Sequence, residues 1–190
     1  MCKAIYIGID LAASEKRCTG LAALMDENDK LSLIVARCVY SDAEILGEVE
    51  KMYRSADRIV IAIDAPITAE VKFREVDKKM ISLGFRVMPP TFKHMRYLTI
   101  RGTRLALKFI ERGLEVIETH PRSVFRSSGC SSFLELLKCF GLESTLNNRN
   151  RHVMDAVLAA IAALCYVRGC GKSIEAVDGA IWILKRVCIA

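Results

Sequence analysis

Four acidic residues in this 190-residue chain stand at the ends of apolar runs. Asp10 closes Tyr6, Ile7 and Ile9 in "AIYIGIDLA", Asp64 closes Val60, Ile61 and Ile63 in "VIAIDAP", and Glu118 follows Val116 and Ile117 in "VIETHP". Asp155 opens the run "HVMDAVLAAIAALCYV", in which it is the only acid. Singly, each has a structural explanation, because turns accept Asp and an acid in a first helical turn complements the helix dipole. Together they suggest a shared site. Crowded carboxylates repel, so one of them takes up a proton unless a cation sits between them. Oxygen-only ligands favour hard cations, Mg²⁺ or Mn²⁺. Two such ions about 4 Å apart can activate a water and stabilise the leaving oxygen in phosphodiester hydrolysis. That is the chemistry expected of Asp10, Asp64, Glu118 and Asp155.

For these acids to meet, the elements carrying them must converge. Strands are expected over 3–10, 20–26 and 31–40, the last two joined through the turn-rich "DENDK". Ser41 and Glu44 form a capping box ahead of a helix over 42–55, which leads to a strand over 58–64. A right-handed crossover would lay that strand beside 3–10 and make Asp10 and Asp64 neighbours. Thr68 is expected to cap a helix over 69–83, stopped by Gly84. "VMPPTFKH" should be a loop, because Pro89 and Pro90 exclude helix and central strand. A helix over 101–112, a strand "LEVIE", a helix near 132–140 and a polar loop "STLNNRNR" follow. The run from His152 to Val167 is apolar nearly all round and should be a buried helix packed closely through its alanines. "SIEAVDGAIWILKR" reads as a hairpin turning at Asp178-Gly179. Parallel strands gather function at their carboxyl ends, where three of the four acids lie.

Composition narrows the class. The chain is 52% apolar and 26% charged, an ordinary globular mixture consistent with one domain over 1–190. The apolar run at the N-terminus is short and contains an acid, and no stretch approaches the roughly 20 residues of a membrane span, so no membrane association is expected and the location should be cytoplasmic. The eight cysteines include no CxxC pair, which argues against a zinc site. They are expected to be buried and reduced, with disulfides the alternative if the source is a hyperthermophile. The uncharged C-terminal "VCIA" suggests burial, with a second copy in a homodimer as the candidate partner. Net charge is +6, and from Arg86 to Lys108 six basic residues occur without an acid, with Phe92, His94 and Tyr97 among them. Such a stretch suits a polyanion, and Arg96 and Arg101 are its candidate nucleic-acid contacts; a solvated basic surface is the plainer explanation.

In that order, "GIDLA", "AIDAP", "FREVDKKMISLG", "VIETHP", "MDAVLAAIAAL" and "DGAIWI" resemble the family called domain of unknown function 429, predicted nucleases of RNase H-like fold. The resemblance spans nearly the whole chain. It implies an α/β fold with a mixed five-stranded sheet, three antiparallel strands followed by parallel ones, and helices on both faces. It also implies metal-binding acids at Asp10, Asp64 and Asp155, with Glu118 the family's additional acid. Arg74 and Asp77 match its arginine and aspartate; spaced i, i+3, they are plainly read as a surface salt bridge, and the functional reading is that Arg74 faces the site and grips a phosphate bidentately. His120 and His152, close to Glu118 and Asp155, could join the metal or move protons, although a satisfied structural histidine is the commoner case; "ETHP" departs from the usual pattern of the family and leaves the role of His120 open. The expected function is therefore a divalent-metal-dependent nuclease acting on DNA or RNA. Two alternatives are a nucleotide-binding domain of the sugar-kinase and actin type, for which 11 glycines leave little room, and a nucleic-acid-binding module without catalysis.

Overall fold

The structure is a computed structural model that describes residues 3–28, 30–143 and 150–188. Its centre is one sheet in which β1 (Lys3–Asp10) pairs antiparallel with β2 (Thr19–Glu27), and β2 pairs with β3 (Lys30–Val39). Asn28 turns the β2–β3 hairpin in the left-handed region (φ 54°), and Asp29 of the expected loop lies outside the described residues. Helix α1 (Asp42–Tyr53) starts at Ser41, whose hydroxyl accepts from the Glu44 N–H at 3.1 Å. It returns the chain to β4 (Arg58–Ile63), parallel to β1 as expected. The Asp64 N–H donates to the Ile9 carbonyl at 2.8 Å, which fixes Asp64 next to Asp10.

Beyond β4 the order continues with β5 (Glu115–Thr119), then β7 (Gly179–Leu184) and β6 (Gly171–Ala176). The sheet therefore has seven strands in the order β3-β2-β1-β4-β5-β7-β6, not five. The expected terminal hairpin forms, and it joins the sheet because Glu118 and Thr119 of β5 pair in parallel with Ile181 and Trp182 of β7.

Helices cover both faces. Ile5, Ile7 and Ile9 point to a cluster with α1 and α3 (Lys93–Ile110), while Tyr6 points the other way, toward α6 (Arg151–Arg168). The alanines of α6 are buried, as its sequence predicts. Its closest approach is at Gly8 of β1, where a Cβ would lie 2.0 Å from the Ala156 carbonyl, and at Gly20 of β2, where it would lie 1.9 Å from the His152 carbonyl. Two missing side chains thus let the backbone of α6 lie on the sheet beside Asp10.

Other expectations need correction. The helix after Asp64 is α2 (Glu75–Ser82), shorter than 69–83, because Thr68 folds into a local turn with Glu70 instead of capping. The first N–H groups of α2 are capped from afar: the Asp178 carboxylate accepts from Glu75 at 2.8 Å and Val76 at 3.1 Å. Helix α3 begins at Lys93, eight residues earlier than expected, so Lys93 and His94 of the expected loop "VMPPTFKH" are helical. Helix α4 (Pro121–Ser128) was not anticipated, although Pro121 at its first turn and Gly129 at its left-handed stop (φ 77°) are legible signals. Helix α5 (Phe133–Cys139) sits where a helix near 132–140 was expected. Of the polar loop before α6, residues 144–149 lie outside the described residues, as do Ile189 and Ala190 of the C-terminal "VCIA", whose Cys188 is buried within the chain. The cysteines are not all reduced: Cys18–Cys38, Cys130–Cys188 and Cys165–Cys170 are disulfides, and Cys139 is the free thiol among the described residues. No helix among the described residues is long and apolar enough to cross a membrane.

Candidate active site

At the carboxyl ends of β1, β4 and β5 lies a cavity of about 500 Å³. Asp10, Asp64, Glu118 and Asp155 all line it. Three reach it from strand ends and the fourth from the first turns of α6, held in place by the two glycine contacts.

The four acids are not equivalent. Asp64 is held well above the ordinary carboxylate range by burial first, then by the charge of Asp10 and a hydrogen bond to it, then by Asp155 and Glu118. Asp155 is pushed up to about 6 by burial and by the charge of Asp10, against the pull of Arg151, 3.6 Å away, and His152. The His152 Nδ1 meets Asp10 Oδ2 at 2.6 Å. These three carboxylates repel one another in a partly dry site, the condition that an added cation relieves.

Glu118 differs. Its two oxygens accept from Arg74 at 2.7 and 2.6 Å, and Oε2 also accepts from the Ile67 N–H at 2.7 Å. Burial raises its pKa while Arg74 and the Ile67 N–H pull it down, with a net rise. Arg74 is itself 1% exposed and is bound on its other edge by Asp77, Nε to Oδ2 at 3.0 Å and Nη2 to Oδ1 at 2.7 Å. The expectation that Arg74 grips a phosphate is thereby corrected: a guanidinium pinned between two buried carboxylates aims Glu118 instead. Among the described residues, no three of the acids bring an oxygen of each within 4.8 Å of the others.

Arg101 also needs correction. It is buried and donates to Asp42 at 2.7 Å and to the carbonyls of Ala12 and Tyr40 at 2.6 and 2.9 Å, so it ties α3 to α1 and β3 and offers nothing to a phosphate. Arg96 is exposed but does not line the cavity. His120 does; its Nδ1 pairs with Ser123 Oγ at 2.7 Å, and burial lowers its pKa to about 4, which keeps it neutral. The cations at the mouth are Arg86, Arg122 and Arg151, all exposed. Arg86 belongs to the basic stretch, but Arg122 stands on the unanticipated α4 and Arg151 on the turn that opens α6.

The chain as a whole resembles solved structures in fold. The fold is similar to that of RuvC. Superposed on "T. thermophilus RuvC in complex with Holliday junction substrate", the chain gives a TM-score of 0.52 at 16% identity, covering 87% of this chain and 96% of that one. A second Thermus thermophilus RuvC structure gives 0.51 at 17% identity with the same coverage. The chain thus shares the overall fold of these structures, and its own sheet has seven strands where five were expected. No family model matches the chain, and no curated protein matches it in sequence.

Proposed function

We propose that this chain is a divalent-metal-dependent nuclease of the RNase H-like kind, and a member of the domain-of-unknown-function 429 family that its motifs resemble. The observation that carries this is the convergence of Asp10, Asp64 and Asp155 from three separate segments on one cavity, with burial and the charge of Asp10 raising the carboxyls of Asp64 and Asp155. The all-oxygen donor chemistry suits Mg²⁺ or Mn²⁺; Asp10 and Asp64, already hydrogen-bonded to each other, and Asp155, whose side chain would have to draw in toward them, are the residues that would hold it. When bound, the cation would supply an activated water and charge stabilisation at the scissile phosphate. Glu118, neutralised by Arg74, orders the floor of the site instead of serving as an equal ligand. His152 orients Asp10 through its Nδ1 contact, and His120 presents a neutral ring to the substrate side. Arg86, Arg122 and Arg151 place positive charge at the mouth, where a polyanionic backbone would lie. Nucleic acid is thus the proposed partner, and RuvC, solved with a Holliday junction substrate, supports branched DNA as the first substrate to try.

The test is cleavage of branched DNA, duplex DNA and RNA in millimolar Mn²⁺ by the natural chain and by Asp64→Asn. The natural chain should cut at least one of these. The variant should lose about a hundredfold or more, a loss of several kcal/mol of charge stabilisation, while melting at the same or a higher temperature. A variant that retains full cleavage, or a natural chain that cuts none of the substrates, would overturn the proposal.

A further inference from the structure

Beyond the C-terminal end of α4 and outside the lining of the acidic cavity, three cysteine sulfurs form a group that the nuclease chemistry does not use. Cys130 follows α4, Cys139 ends α5 and Cys188 lies on the C-terminal segment. Their sulfurs all lie within 4.8 Å of one another, and Cys139 Sγ is 3.3 Å from Cys188 Sγ. The backbone that carries two of them is already fixed by Ser128: its carbonyl accepts from the Val187 and Cys188 N–H groups at 2.9 and 3.1 Å, and its hydroxyl from the Cys130 N–H at 3.2 Å.

A third thiol beside a disulfide suggests thiol–disulfide exchange, but the shape argues otherwise. Displacement at sulfur needs the attacking atom opposite the leaving one, which would put Cys139 about 5.3 Å from Cys130, the sum of the contact distance and an ordinary disulfide bond. The three sulfurs instead form a triangle. Triangular thiolates suit a borderline or soft cation: with Zn–S bonds of about 2.3 Å, neighbouring sulfurs in a tetrahedral site stand about 3.8 Å apart. Cys139 reaches solvent and gives the ion a way in. Arg186 lies against Gly129, where a Cβ would meet its Nε at 2.8 Å, and so sets a positive charge near the cluster.

We infer that Cys130, Cys139 and Cys188, once reduced, form a three-thiolate site for Zn²⁺ or a similar thiophilic cation, and that the Cys130–Cys188 disulfide is its oxidised, metal-free state. A dithiol reductant opens the disulfide, closing to a disulfide itself and leaving a thiol on each cysteine. Binding the cation then releases the three thiol protons, with the fourth position left to water or another donor. The sequence gives no sign of this because the three cysteines are far apart along the chain and no CxxC pair announces them.

Cobalt reports the site directly, because thiolate-to-cobalt charge transfer absorbs in the near ultraviolet and carboxylate ligands give no such band. The whole protein, reduced with a phosphine and titrated with Co²⁺, should develop this band at one equivalent per chain and lose it when Zn²⁺ is added. Cys139→Ser, at an exposed position that tolerates the change, should weaken cobalt binding at least about tenfold, one lost ligand being worth more than 1.4 kcal/mol. Asp64→Asn should leave the band intact, which separates this site from the carboxylate site. Absence of the band in the reduced natural chain, or a band of equal affinity in Cys139→Ser, would overturn the inference.

Discussion

At the scale of single residues, Arg74 decides what Glu118 can do. Removing it would leave Glu118 and Asp77 buried without their shared cation, and breaking a buried pair in this way costs about 3–5 kcal/mol. Arg74→Ala should therefore be strongly destabilised, as thermal unfolding by circular dichroism would show, whereas a phosphate-binding arginine would cost activity and little stability. Asp155 makes a separate prediction. Its carboxyl titrates near 6 in the folded chain and near 3.8 in the unfolded one, so between those values the folded state binds the proton more tightly. Its stabilising contribution is complete below pH 3.8 and lost as pH rises through about 6. Discounted for solvent screening, it is about 1–2 kcal/mol, or roughly 2–8 °C of melting temperature. Chelator-treated protein followed by calorimetry should show this fall between pH 4 and 7, and Asp155→Asn should flatten it. The acids themselves were legible in the sequence, since each ends or opens an apolar run. The fate of the basic residues was not: Arg101 and Arg74 resemble surface cations until the fold shows the carboxylates and carbonyls that enclose them.

At the scale of elements, the site depends on how closely α6 lies on β1 and β2. Gly8→Ala would drive a Cβ to 2.0 Å from the Ala156 carbonyl and 2.2 Å from the Ala160 nitrogen, and backbone cannot swing aside as a side chain can. The helix must move away, taking Asp155 from Asp10. A loss of about 3 kcal/mol or more is expected on chemical denaturation, with nuclease activity falling further than the fraction unfolded accounts for. The alternation of β1, the α1 crossover and the alanine-rich α6 could be read from the sequence because each has one dominant local signal. Elements whose ends are set by distant partners could not. Helix α2 starts where Asp178, 103 residues away, caps it, and Thr68, a good cap by local rules, is used in a turn instead. Helix α4 is short, eight residues, and lacks an apolar stripe long enough to announce it.

For the whole molecule, the seven-stranded sheet brings segments separated by up to 145 positions to one cavity. The net charge of +6 is spread so that exposed arginines from three separate segments ring that cavity, outside a floor of repelling acids. Such a distribution attracts a polyanion to the mouth and a cation to the floor. The most direct test is anomalous diffraction from crystals soaked in Mn²⁺. A peak should stand in the cavity bound by Asp10, Asp64 and Asp155, whose oxygens do not all lie within 4.8 Å of one another here and must draw in around the ion, with Glu118 still paired to Arg74. A cavity with no peak, or a peak bound by none of these three acids, would contradict it.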